Sequence, residues 1–187
     1  MEKKQPTAKS LIYLAGFMGS GKSTIGPILA NTLGFDFVDV DRQIEQERGK
    51  SVTSIFNEEG EAALRAVERS ILERVSGMDQ VVVALGGGTV AHEENFRLIR
   101  SSGLIVYLQL SPETAARRMR NKTDRPMLKD EKGDSLPAEE LQQRIRDLLT
   151  VREQFYNRAD IVVPTENLDV GRTVDDIVRK LRRFIEL

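Results

Sequence analysis

Eight consecutive residues, Gly16-Phe17-Met18-Gly19-Ser20-Gly21-Lys22-Ser23, fit the spacing Gly-x4-Gly-Lys-Ser/Thr. The residue types suit a polyphosphate. Glycines let backbone N–H groups curl around phosphate oxygens where a Cβ would clash. A helix opening at Lys22 would add free N–H donors and partial positive charge. Lys22 can reach the β- and γ-phosphates, the Ser23 hydroxyl can ligate Mg²⁺, and Thr24 continues the first turn. The alternative is a glycine-rich turn that binds nothing. A strand before the loop and a helix after it argue for the phosphate site. Nothing in the loop identifies the phosphoryl acceptor.

Candidate acceptor residues lie further on, and each has a plain structural alternative. Asp39 and Asp41 end an expected second strand, and residues two apart on a strand share a face. One could serve the shell of a metal ion, and the other could accept a proton from, or orient, an attacking hydroxyl. Asp41 would serve equally as a helix cap. Gly86, Gly87 and Gly88 follow an apolar strand, which suggests either close approach to a ligand or a flexible turn. Arg65 and Glu68 stand three apart, the spacing of an ordinary intrahelical ion pair. Arg125 precedes Pro126, and Arg152 lies late in a helical stretch near Phe155 and Tyr156. Arg117, Arg118, Arg120, Lys122, Arg125 and Lys129 crowd into thirteen residues, as a solvated face or an anion-binding lid.

The elements that must position these residues read as alternating strands and helices. Strands are expected at Leu11 to Ala15, Phe35 to Val40, Val81 to Leu85, Leu104 to Leu110 and Ile161 to Val163. Helical patterns fall at 22–33, 42–48, 51–57, 60–75, 92–101, 112–120, 137–156 and 170–185. Continuously apolar strands between helices imply an α/β fold with a parallel sheet covered on both faces. Its ligand crevice should lie at the carboxyl ends of the strands. Residues 121–137 break the rhythm and read as a lid segment, and residues 1–10 as a flexible leader.

Composition narrows the classes further. The 187 residues suit one domain, 40% are apolar, and 28 basic against 29 acidic residues give a net charge of -1. That balance suggests no nucleic-acid footprint, and no apolar run is long enough for a membrane span. The lack of cysteine excludes disulfides and thiolate metal sites, and His92 as the one histidine argues against a histidine-based triad or a histidine-rich metal site. The absence of cysteine is compatible with the cytoplasm. Asn121-Lys122-Thr123-Asp124 and Asp130-Glu131-Lys132-Gly133 imitate guanine-reading and switch motifs of GTPases. Both are rejected. A Ser-Pro start and a helix separate the first from its strand, and the second comes after the base motif instead of before it.

The whole constellation, from Leu11 to about Ile185, closely resembles the shikimate kinases. The matching runs are Gly16 to Gly26, Asp39-Val40-Asp41 with Ile44-Glu45, and Ser54-Ile55-Phe56. Gly60-Glu61 with Arg65 and Glu68, Gly86-Gly87-Gly88, Arg125-Pro126, and Arg152 with Tyr156 and Ala159-Asp160 complete it. The resemblance implies a three-layer sandwich around a five-stranded parallel sheet, of the nucleoside-monophosphate-kinase-like kind, with a mobile lid. It implies transfer of the ATP γ-phosphoryl group to the 3-hydroxyl of shikimate, with Mg²⁺, in a cytoplasmic monomer. By the same resemblance Asp41 binds the ring hydroxyls and Asp39 neighbours the Mg²⁺ shell. Arg65 and Arg152 hold the carboxylate, and Glu68 orients Arg65. Gly86, Gly87 and Gly88 form a platform under the substrate. Arg125 closes over the phosphate, and Arg118 lies beside the adenine. Leu64 and Met127 depart from the family's usual Phe and Leu, both keeping apolar bulk. The rivals are a kinase for gluconate or a nucleoside monophosphate, and a nucleotide-dependent switch without turnover.

Overall fold

The computed structural model describes residues 10–120, 128, 136–167 and 169–186. Five strands form one parallel sheet: β1 (Leu11–Ala15), β2 (Asp36–Asp39), β3 (Val81–Ala84), β4 (Leu104–Gln109) and β5 (Ile161–Pro164). Their spatial order is β2-β3-β1-β4-β5, so β1 is central. Among the described residues seven α-helices surround them: α1 (Lys22–Leu33), α2 (Val40–Arg48), α3 (Val52–Val75), α4 (Glu93–Ser102), α5 (Pro112–Met119), α6 (Ala138–Tyr156) and α7 (Val170–Leu181).

The strands are apolar throughout because both faces are covered. In β1, Leu11, Tyr13 and Ala15 face a core shared with α2, α3, α4 and the end of α6. Ile12 and Leu14 face a second core filled by Ile25 and Leu29 of α1 and by Val174, Ile177 and Leu181 of α7. Burying each such aliphatic side chain is worth about 1.5–3 kcal/mol relative to leaving it exposed. A third cluster ties Phe17 to Leu110, to Ala115 and Met119 of α5, to Leu128, and to Leu141 and Ile145 of α6.

Because all strands run the same way, their carboxyl ends share one edge of the sheet. The phosphate-loop sequence follows β1, Asp39 ends β2, the glycine triplet follows β3 and Ser111 follows β4. The break expected between 57 and 60 occurs inside α3, where Gly60 takes φ 87°, ψ 170°. That conformation belongs almost exclusively to glycine.

One local expectation is corrected. The second strand does not reach Asp41. It ends at Asp39, whose carboxylate accepts the Arg42 backbone N–H at 3.3 Å and caps α2. An N-cap side chain satisfies a donor that a continuing strand would leave unpaired. Asp41 therefore sits in the first helical turn, and Asp39, not Asp41, is the cap. The two-residue strand period does not relate them.

The close approach of chains at the opposite end of β4 gives a stability test. A Cβ on Gly103 would stand 2.4 Å from the Leu11 carbonyl oxygen, a backbone atom with little room to move. We expect Gly103→Ala to cost about 1–3 kcal/mol by urea denaturation, as overpacking does. Gly34→Ala, with open space around it but φ 71°, should cost about 1 kcal/mol through backbone strain alone. The reverse ranking would contradict this packing.

Candidate active site

The phosphate-loop sequence folds into a cradle between β1 and α1. Gly16, Gly19 and Gly21 take positive φ values of 151°, 82° and 101°. A Cβ on Gly16 would stand 2.7 Å from the Leu108 carbonyl oxygen and the Ser20 hydroxyl, and one on Gly19 would stand 2.9 Å from the Met119 methyl. Both space and conformation therefore demand glycine here. The N-terminus of α1 has no side-chain cap and no acid in its first turn. By contrast α2, α3, α5 and α7 are capped by Asp39, Ser51, Ser111 and Asp169. An uncapped helix end beside glycines offers its donors to an anion. The Ser20 hydroxyl is fully buried and has no hydrogen-bond partner among the described residues, a polar atom left open inside the cradle.

Lys22 donates from Nζ to the carbonyl oxygens of Gly16 at 2.7 Å and Phe17 at 3.1 Å, so the cation arches back over the loop. Ser23 Oγ donates to Asp39 Oδ2 at 2.8 Å, joining α1 to the end of β2. This pair fits Mg²⁺, which takes one or two oxygen ligands from a protein and completes its octahedron with phosphates and waters. Among the described residues no group of three or more His, Cys, Asp or Glu could hold a metal, which suits that mode better than a protein cage. Thr24 follows in the exposed first turn of α1.

The glycine triplet is the meeting point of the acceptor candidates, and the reason is space. None of the three needs positive φ. A Cβ on Gly86 would stand 2.7 Å from Asp41 Oδ1, 2.7 Å from Thr89 Oγ1 and 3.1 Å from Glu68 Oε1. One on Gly88 would stand 2.8 Å from Arg65 Nη2. One on Gly87 would stand 3.7 Å from the Met18 backbone nitrogen and 3.8 Å from Arg152 Nη1. Asp41, Arg65 and Arg152, from α2, α3 and α6, thus converge on three successive residues beside the phosphate loop.

Each arginine is held. Arg65 Nη1 donates to Glu68 Oε2 at 2.7 Å, and Nε and Nη2 donate to Glu61 Oε1 at 3.2 and 2.9 Å. Burial opposes the Arg65 charge, but Glu68 and Glu61 together outweigh it and raise its pKa. Glu68 is buried and also accepts from Thr89 Oγ1 at 2.8 Å. Arg152 is buried, with Nη1 donating to the Gly87 carbonyl at 2.9 Å and its guanidinium 5.4 Å from the centre of the Phe17 ring. The Tyr156 hydroxyl donates to the same carbonyl at 3.2 Å. Burial pushes Tyr156 up to about 12, against an opposing effect of Arg152, so the phenol stays a donor.

Arg118 lies on the nucleotide side. It donates from Nη1 to the Gly19 carbonyl at 2.9 Å and from Nη2 to the carbonyls of Thr165 and Glu166 at 2.8 and 3.0 Å. It thereby ties the phosphate loop to the segment after β5. Burial lowers its pKa; Glu166 opposes that and Arg117 adds to it. Arg125, most of the expected lid segment 121–137, the leader through residue 9 and both GTPase-like tetrads lie outside the described residues.

Sequence reasoning missed several groups here. Thr89 directly follows the triplet, and Glu61 sits four residues before Arg65, yet neither spacing revealed a contact with Glu68 or Arg65. Tyr156 was noted beside Arg152 and within the resemblance, with no role given to it. His92 Nε2 stands 3.8 Å from Glu61 Oε1. Burial lowers its pKa first; Arg65 and Arg152 add to this, while Glu61 and Glu68 oppose it.

The family model for shikimate kinase matches residues 18–182. The chain is 51% identical over 176 residues to the shikimate kinase of Chlorobaculum tepidum, covering 94% of this chain and 92% of that protein. The structure of the shikimate kinase from Acinetobacter baumannii in complex with shikimate superposes with a TM-score of 0.84 at 31% identity, covering 95% of this chain and 94% of the other. The shikimate kinase from Bacteroides thetaiotaomicron gives a TM-score of 0.84 at 32% identity, covering 92% and 98%.

The single histidine gives a direct probe of the charges around Arg65. In NMR its imidazole should titrate below the ordinary value of about 6.5. In Arg65→Ala the midpoint should move up, because a cation leaves and Glu61 loses its partner. An unchanged midpoint would place His92 outside the field of Arg65.

Proposed function

The chain belongs to the shikimate kinase family and phosphorylates shikimate with ATP, and we propose that two anion grips at one sheet edge divide the work of that reaction. The observation that carries this division is Gly87, where the phosphate loop and an acid-binding arginine stand 3.7 and 3.8 Å from one point.

On the nucleotide side, Gly19, Ser20, Gly21 and the first turn of α1 offer backbone donors to the ATP phosphates. Lys22 turns its three donors from the loop carbonyls to the β- and γ-oxygens. Ser23 and Asp39 hold Mg²⁺, directly or through its water. When bound, the ion neutralises charge on the phosphates. Arg118 meets the adenine through its flat face, since carbonyls already take its Nη1 and Nη2 donors. Arg125 closes over the transferring group.

On the acceptor side, Arg65 and Arg152 hold the shikimate carboxylate, which suits guanidinium forks. Gly86, Gly87 and Gly88 let the ring lie against backbone. Asp41 accepts a hydrogen bond from the 3-hydroxyl and takes its proton as that oxygen bonds to the γ-phosphorus. The bond from phosphorus to the bridging oxygen breaks, and its electron pair leaves with ADP. Protein work in such a transfer is mainly positioning and charge stabilisation. The molecule acts as one domain and a monomer, in the cytoplasm, on free small molecules and without nucleic acid or membrane. A net charge of -1 leaves no overall basic surplus for nucleic acid, and among the described residues no helix is long and apolar enough to cross a membrane.

ADP formation from ATP and Mg²⁺ should depend on shikimate; equal ADP release without it would overturn the assignment of the acceptor. Lys22→Ala should lower turnover by more than about 100-fold, the scale for losing one preorganised charge contact, with an unchanged circular dichroism spectrum. Arg65→Ala should weaken shikimate binding by about 2–3 kcal/mol while ATP binding stays within error. Equal weakening of both ligands would make Arg65 structural.

A further inference from the structure

Phe17 occupies a position that neither the nucleotide nor the acceptor chemistry requires of an aromatic ring. Its backbone carbonyl accepts from Lys22 Nζ at 3.1 Å. Its ring lies under the Arg152 guanidinium, 5.4 Å from centroid to Cζ. The side chain is 1% exposed and packs into the cluster formed by α5, Leu128 and α6. One residue thus touches the cation that grips phosphate and the cation that grips the carboxylate.

We propose that Phe17 is a positioning residue that couples the two sites, so that nucleotide binding tightens the grip on shikimate through Arg152. The proposal rests on the assignment of Arg152 to the acid.

The coupling has a mechanical basis. Phosphate competes with the Gly16 and Phe17 carbonyls for Lys22 Nζ. When Nζ turns away, the Phe17 carbonyl loses a charged donor, and the peptide joining Phe17 to Met18 is released from one arrangement. That peptide ends at the Met18 nitrogen, which faces Gly87. Gly87 in turn supplies the carbonyl that fixes Arg152 Nη1 and the Tyr156 hydroxyl. A ring carrying a guanidinium on its face transmits this displacement, because the contact depends on their relative placement. Linkage then requires that shikimate tighten nucleotide binding by the same factor. A second connection between the sites runs from Ser23 to Asp39 and through α2 to Asp41. It bypasses Phe17 and is the competing route.

The experiment measures shikimate dissociation constants by calorimetry, with and without saturating Mg-ADP, for the natural chain and for Phe17→Leu. In the natural chain ADP should tighten shikimate by about 5-fold or more, the low end for linked sites. In Phe17→Leu that factor should fall below about 2, and shikimate alone should bind about 2–5-fold more weakly, as for a lost cation–π contact. Phe17→Met, unbranched and able to refill the space, should do the same if Phe17→Leu fails to fold. Ile145→Val shortens a side chain in the same cluster, seven residues before Arg152 on α6. It should lower Tm and leave the coupling factor unchanged. Arg152→Lys should lose the coupling, and combining it with Phe17→Leu should remove nothing further. Natural coupling retained in Phe17→Leu overturns the proposal in favour of the Ser23–Asp39 route. Equal shikimate affinity with and without ADP in the natural chain overturns it outright. Shikimate binding by neither form would overturn the acceptor assignment itself, a different failure from a missing coupling.

Discussion

A Cβ at Gly86 or Gly88 would push aside the polar and charged side chains that close on it, and the acceptor side of the protein is built around that restriction. Asp41, Thr89 and Glu68 close on the first position and Arg65 on the last. Three helices can bring charged groups to one place because the backbone there presents almost no volume. A parallel sheet supplies the place. Its strand ends share an edge, and β3 is hydrogen-bonded to β1, so the triplet emerges next to the phosphate loop. Register does the rest: Leu14 pairs with Ala84, and the Leu85 N–H donates to the Leu14 carbonyl at 3.1 Å as the two chains leave the sheet.

The charges at this edge obey a simple hierarchy. Arg65 is opposed by burial and kept charged by two carboxylates, one of them buried and itself satisfied by Thr89. Such a pair costs desolvation, and breaking it by removing one partner leaves a charge stranded. Its value to the protein is therefore orientation more than stability. Arg152 is held differently, by a carbonyl and an aromatic face. A substrate carboxylate would meet an Arg65 whose charge two acids already hold in place.

The nucleotide side shows the complementary logic. Four helices have their first turns closed by Asp or Ser side chains and α4 and α6 carry acids there, whereas α1 has neither and opens beside three glycines with positive φ. Arg118 then fastens the loop from outside through backbone carbonyls. The loop is thus braced on its flank and open at its mouth, which is what a site for a charged and departing ligand needs.

The phosphate loop could be read directly because its signal is local: every residue that shapes it lies within eight positions, and the strand and helix beside it follow from apolar periodicity. Strand and helix order, the parallel sheet and the break near Gly60 were legible for the same reason. Where the sequence reading erred, two local signals competed. Apolar residues through Val40 extended the strand on paper, and the capping strength of Asp39 ended it. Thr89, Tyr156 and Phe17 were not assigned because each acts on a partner from another element, and no spacing along the chain encodes such a pairing; Glu61 stands four residues before Arg65 on α3, an ordinary helical spacing that the sequence reading passed over. The loop motif and the apolar periodicity determined by themselves that this is an α/β phosphate-binding protein, since those features depend on neighbours in sequence. Which carboxylate capped a helix, which faced the glycines, and which ring lay under Arg152 were decided only by tertiary packing, because burial in a crowded edge depends on what every other element has already filled.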